Sequence, residues 1–205
     1  MAKLIGNAPN QVPTNADLGK MAFEDKVSVA NINATGTKDA TTFLRGDNTF
    51  AEPSGGGITE ADMFRLTASL TSNADPISSN LERVDDATFS KIGTGMSLSS
   101  GIYTFPTTGL YYIIYNFMMT WSSSDSTSVD LFISSDSGST YDNVAHVDSA
   151  GTDNHQSSNH AFVNVTDAST FRAKFTTSSM TSSSLTGQTN QNYTTFTFIR
   201  LGDSQ

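Results

Sequence analysis

Residues 110–121 read LYYIIYNFMMTW, the most apolar stretch of the chain. A transmembrane helix needs roughly 20 consecutive apolar residues, so this run cannot cross a bilayer. A buried helix is the alternative to a strand, but Tyr111, Tyr112, Ile113, Ile114 and Tyr115 in series are poor helix formers. Aromatic and β-branched residues bounded by Gly109 on one side and Ser122-Ser123-Ser124 on the other describe a long central strand.

Similar texture extends in both directions from this strand. Phe64 to Leu70 alternates apolar and mostly polar positions with period two, as a half-buried strand does. Gly101-Ile102-Tyr103-Thr104-Phe105-Pro106 reads as a strand that turns at Thr107-Thr108-Gly109 into the central one. Further strands are expected over 128–133, 143–147, 161–165 and 170–175, and a last one over 193–201. About eight to ten short strands with no credible long helix indicate an antiparallel β-sandwich or jelly roll spanning residues 58–205. No repeat of fixed period is visible, which argues against a propeller or solenoid.

Composition agrees with this reading. Charged residues make up 15% of the 205 and apolar residues 36%, so the polar excess is uncharged and belongs to Ser/Thr/Asn/Gly loops between strands. The formal net charge is -9, and residues 58–205 carry most of it, with 14 acidic against 6 basic groups. Such a surface repels phosphates and anionic lipid, so neither nucleic acid nor membrane is an expected partner. The chain has no cysteine, which rules out disulfides and thiolate metal sites.

Residues 1–57 are different. Pro13, Gly19, Gly36, Gly46, Pro53 and the Gly55-Gly56-Gly57 run interrupt them every ten or so residues, and their large apolar groups stand apart. Asp17 suits the cap of one turn through Phe23, and nothing longer reads as helix. This segment is expected to be an extended arm that orders on another surface, with residues 53–57 as a hinge to the globular part.

Candidate chemistry is sparse. His155 and His160, with Asp153 nearby, lie five apart in a Ser/Asn stretch; zinc sites need three or four convergent ligands, so solvated loop polars are the expected reading. His146 is the third histidine and carries no pattern. Ser134-Ser135-Asp136-Ser137-Gly138 reads as a hairpin turn, and Gly93-Thr94-Gly95 as a turn, lacking the helix of a phosphate loop. No Gly-x-Ser-x-Gly elbow and no recognisable acid pair is present, so no enzyme and no cofactor or metal is expected.

Two resemblances follow from residues already quoted. Gly101 to Tyr112, GIYTFPTTGLYY, resembles the complement globular-head and tumour necrosis factor jelly-roll superfamily, where a strand ending in Phe-Pro turns at a glycine and continues as Gly-x-Tyr-aromatic. Tyr193 to Leu201 looks like the closing strand of that family, with Thr197 where a glycine is usual. The resemblance implies a homotrimer, with Tyr103, Tyr111, Tyr115, Phe117 and Tyr193 packed around a threefold axis.

Asn10 to Asp25 is similar to the opening of structural proteins of marine tailed phages. Thr42 to Ala51, TFLRGDNTFA, resembles a short module of phage tail fibres, with Asn48 where that module has glycine and Phe50 where it has tryptophan. Asn tolerates the left-handed backbone that glycine would supply. Read with its neighbours, Arg45-Gly46-Asp47 is therefore part of a turn with Phe43, Leu44 and Phe50 as apolar anchors, and not a cell-adhesion tripeptide.

Together these imply a structural virion protein of a tailed phage. A jelly-roll knob is anchored to the major capsid protein or another virion protein through Val12, Leu18, Met21, Phe23, Phe43, Leu44, Arg45, Asp47 and Phe50. Capsid decoration, cement or a head fibre suits so short a chain. The alternative is a tail fibre or receptor-binding knob that recognises host surface glycan or protein through polar loops such as residues 148–160.

Overall fold

The computed structural model describes residues 34–52, 57–87 and 89–205. The capped turn near Asp17, the anchors Val12, Leu18, Met21 and Phe23, and hinge residues 53–56 lie outside the described residues. The chain divides into two units, residues 1–57 and residues 58–205. In the first, β1 (Phe43–Leu44) pairs antiparallel with β2 (Phe50–Ala51).

The second unit is all strand and turn among the described residues. Its strands are β3 (Ala61–Leu66), β4 (Ala68–Leu70), β5 (Leu81–Arg83), β6 (Ser97–Ser99), β7 (Ile102–Thr104), β8 (Gly109–Trp121), β9 (Asp125–Ser134), β10 (Asp142–Gly151), β11 (His155–Val165), β12 (Arg172–Ser178), β13 (Ser183–Gln188) and β14 (Thr195–Gly202). A seven-stranded sheet runs β4-β13-β8-β14-β3-β5, with β11 on the other edge of β8. A five-stranded sheet runs β10-β9-β12-β7-β6. All pairings between these strands are antiparallel, and the two sheets enclose one core, a jelly-roll sandwich.

The quoted stretch is the centre of the larger sheet. Side chains of a strand alternate between faces, and on β8 the odd-numbered set, Tyr111, Ile113, Tyr115, Phe117, Met119 and Trp121, is buried. The even-numbered set, Leu110, Tyr112, Ile114, Asn116, Met118 and Thr120, is partly or fully exposed. The inner set meets Tyr103, Phe105, Val129, Leu131, Phe175, Phe196 and Phe198. Most rings there pack edge-on or tilted, with Phe175 and Phe196 centroids 4.3 Å apart and Phe64 and Tyr103 5.1 Å apart, while Tyr115 and Phe117 lie near-parallel at 6.3 Å. Burying one such ring contributes about 1.5–3 kcal/mol relative to leaving it in water.

This alternation corrects one expectation. Tyr103, Tyr111, Tyr115 and Phe117 are each no more than 1% exposed in the single chain. They fill the sandwich interior and have no surface to offer a threefold contact. Both sets on β8 contain aromatics, so period two separates the faces without saying which one turns inward.

A second correction concerns residues 148–160. Apart from a turn at 152–154 they are strand: β10 runs to Gly151, and β11 begins at His155 and pairs with β8 along its whole length, from His155 opposite Met119 to Val165 opposite Gly109. The cross-strand partner overrides the weak β preference of HQSSN. Elsewhere the turn readings stand. Ser137 and Gly138 adopt φ of 64° and 89° between β9 and β10, and Asp136 accepts hydrogen bonds from Ser134 Oγ, Thr140 N and Thr140 Oγ1. Gly93 and Gly95 both take positive φ, and the Glu60 carboxylate accepts from the Thr94 and Gly95 amides they present.

Candidate interaction surfaces

The small hairpin is built by its polar residues. Asp47 Oδ1 accepts from Thr49 N at 3.1 Å and Thr49 Oγ1 at 2.6 Å, and Arg45 lies 3.5 Å from the Asp47 carboxylate. These hydroxyl and amide donors, with Arg45 beside them, hold the Asp47 carboxyl below its ordinary range. Asn48 takes φ 62°, the left-handed position that the substitution of Asn for Gly leaves accessible. Backbone bonds from Arg45 N to Thr49 O and from Phe50 N to Thr35 O close the unit. Gly36 is required there, since a Cβ would stand 2.2 Å from the Phe50 carbonyl.

What this scaffold displays is apolar. Phe43 is 49% exposed and Leu44 is 43% exposed, although adjacent strand residues point to opposite faces. Phe50 is half-buried, with Lys38 Nζ 5.7 Å from its ring centre. Of the expected anchors, then, Phe43, Leu44, Arg45, Asp47 and Phe50 come together on one hairpin. Arg45 and Asp47 are tied to the turn itself.

In the second unit, cross-strand register orders the outer face of the seven-stranded sheet into rows. Phe162, Tyr112 and Ile199 form one row across β11, β8 and β14. His160, Ile114, Thr197 and Met63 form the next, and Ser158, Asn116, Thr195 and Arg65 the third. Phe162 is 64% exposed and stacks on Tyr112 at 4.9 Å, while His160 meets the same ring edge-on at 5.3 Å. One end of the face is thus apolar and aromatic, and the other is amide and hydroxyl. His155 points to the opposite side from His160, since an odd spacing on a strand reverses the face, and packs on Trp121 at 5.5 Å.

At the polar end the face dips into a trough of about 470 Å³ lined by Met63, Asn116, Gln156, Ser158, Tyr193 and Thr195 among others. Tyr193 lines the trough from the loop entering β14 and, unlike the four buried aromatics, keeps exposed surface. No local motif signals the trough, because its residues come from β3, β8, β11, β14 and the loop before β14, which only the sheet register brings together.

The five-stranded sheet carries a charged group that was equally invisible in sequence. His146 on β10 lies opposite Asp130 on β9. Its Nδ1 is 2.5 Å from Asp130 Oδ1 and its Nε2 is 3.0 Å from Asp148 Oδ2. Asn143 Nδ2 donates to the same Asp130 oxygen at 2.8 Å. Hydrogen bonding to Asp130, then to Asp148, raises the histidine's pKa above its ordinary value.

No family model matches the chain, and no curated protein matches it in sequence. Solved structures do. Eiger TNF from S. frugiperda superposes with a TM-score of 0.58 at 14% identity, covering 73% of this chain and 96% of that one. Murine APRIL at pH 5.0 gives 0.53 at 7% identity, covering 69% and 98%. PRD1 vertex protein P5 gives 0.45 at 17%, covering 71% and 99%. The first two likenesses establish the fold of this chain as a TNF-like jelly roll.

Proposed function

We propose that this chain is a structural virion protein of a tailed phage. Its jelly-roll knob self-associates as a trimer, and its N-terminal arm fastens the knob to the capsid as a decoration or cement protein. The observation that carries the reading is the hairpin of residues 34–52, too small to have a core, which holds Phe43 and Leu44 exposed on a turn fixed by Asp47 and Thr49. Exposed apolar side chains on a preformed scaffold are what a docking segment presents to a partner. The phage module that TFLRGDNTFA resembles supplies the identity of that partner, a virion protein.

Self-association draws support from the apolar end of the sheet face, where Phe162, Tyr112 and Ile199 stand in one cross-strand row. Three copies joined there carry three arms, so that modest affinity per arm gives firm attachment. Icosahedral reconstruction of the particle tests the placement. Threefold knobs above the capsid surface, missing from particles made without this chain, are the expected result; density confined to the tail, or none, overturns it.

A further inference from the structure

We infer that the trough at the polar end of the seven-stranded sheet is a binding site for an uncharged oligosaccharide. Its volume of about 470 Å³ lies within the roughly 300–1,000 Å³ typical of ligand clefts. Its floor is made by strands, and the loop before β14 that adds Asn192 and Tyr193 is tied to β3 by the Arg65–Asn192 hydrogen bond, so its polar groups are held in place before a ligand arrives.

The chemistry of the lining selects the ligand class. None of the lining residues is charged, and Arg65, which borders the trough at Asn192, is already ion-paired with Glu82 at 2.6 Å, so neither a cation nor an anion finds a free counter-charge there. Beside Met63 and Phe117, the polar groups of the lining are carboxamides and hydroxyls, which donate and accept at once, as sugar hydroxyls do. Several are already oriented. Asn116 Nδ2 donates to Thr195 Oγ1 at 3.3 Å, which leaves its carbonyl oxygen as an acceptor. Arg65 Nη1 donates to Asn192 Oδ1 at 3.3 Å, which turns the amide nitrogen into the available donor. Gln156, Ser158 and Tyr193 make no side-chain hydrogen bond to another described residue, so their capacity is open to a ligand. The Tyr193 ring adds an apolar surface of the kind on which the C–H face of a sugar ring packs.

An apolar protein surface laid over the trough would strand these amides and hydroxyls without partners, which buried polar groups do not tolerate. The apolar row at Phe162 lies at the other end of the face and belongs to the self-association reading. The saccharide site does not depend on that reading or on arm attachment.

The test screens the full chain against immobilised neutral oligosaccharides built from hexoses and N-acetylhexosamines, with sialylated and sulfated forms as charged controls. Wild type, Tyr193→Ala, the double variant Gln156→Ala/Asn192→Ala and the trough-filling Ser158→Tyr are compared, each with its native mass and unfolding midpoint measured. Retention of a neutral glycan, weakened at least tenfold in all three variants at unchanged mass and folding, is the expected result. Retention of no neutral glycan, or retention unaffected by Ser158→Tyr, overturns the inference. A change of native mass in the variants also overturns it, because the trough is then a contact between copies.

Discussion

Tyr115 directs its hydroxyl across the sandwich to the carbonyl of Ala145, 3.1 Å away, and shares it with the Val129 carbonyl at 3.2 Å. One phenol from the seven-stranded sheet thereby ties down both strands at the edge of the five-stranded sheet. Burial, and then the nearby Asp130, raises its pKa well above the ordinary value, so it stays a donor at all accessible pH. Tyr103 is equally buried, but its hydroxyl has no partner. Tyr115→Phe is expected to destabilise the fold by about 1–2 kcal/mol, the loss of a buried hydrogen bond, whereas Tyr103→Phe is expected to be neutral or stabilising. Urea unfolding of the two variants checks the contrast, and neither change should alter native mass.

Asp62 supplies a second check on the interior. Its side chain is 2% exposed, and Arg83 meets both of its oxygens at 3.0 to 3.1 Å while the Met96 amide donates at 2.8 Å. Arg83→Leu leaves a buried carboxylate without its cation. Because Arg83 is partly exposed and the Met96 amide remains, a loss near the low end of the ~3–5 kcal/mol for a broken buried pair is expected. Chemical denaturation at pH 7 reads it, and Asp62→Asn/Arg83→Leu should recover part of the loss.

His146 gives the knob a pH dependence whose sign is fixed by geometry. Asp130 and Asp148 face its two ring nitrogens, and Asn143 and Asn159 bond to Asp130 and to the His146 carbonyl respectively. Its folded-state pKa is raised above the ordinary 6.5. The protonated ring therefore adds stability fully present below about pH 6.5 and lost as pH rises through the raised value. The unfolding midpoint of wild type relative to His146→Gln should be higher at pH 5.5 than at pH 8.5. An equal difference at both pH values refutes the ion-pair reading.

The apolar row on the outer face predicts what self-association requires. Phe162→Asp places a charge beside Tyr112 on the exposed side of the sheet, where it leaves the core intact. Native mass by light scattering is expected to fall from three copies to one, and the unfolding midpoint, lowered only by the lost association, should become independent of protein concentration. A variant that keeps the wild-type mass moves the contact elsewhere.

Much of the sandwich was legible because its central strands are rich in aromatic and β-branched residues, as in the runs ending at Trp121 and Leu201. β13 was not, since SSLTGQ has no apolar alternation and becomes strand only by pairing with β4 and β8. The inward face of β8 was undecided for a physical reason: Tyr111 and Tyr112 are equally aromatic, and only the sheet packed against one of them settles which is buried. The Asn48 turn was readable from local chemistry alone, as left-handed residues are. The trough and the His146 cluster were not, because each joins residues far apart in sequence by strand register.

The most direct measurement is co-sedimentation of the full chain with particles of the proposed phage prepared without it, comparing wild type with Phe43→Asp/Leu44→Asp. Saturable binding by wild type, and a variant of unchanged native mass that stays in the supernatant, is the expected result. Equal binding by the variant, or no binding by wild type, contradicts an arm that fastens the knob to the virion.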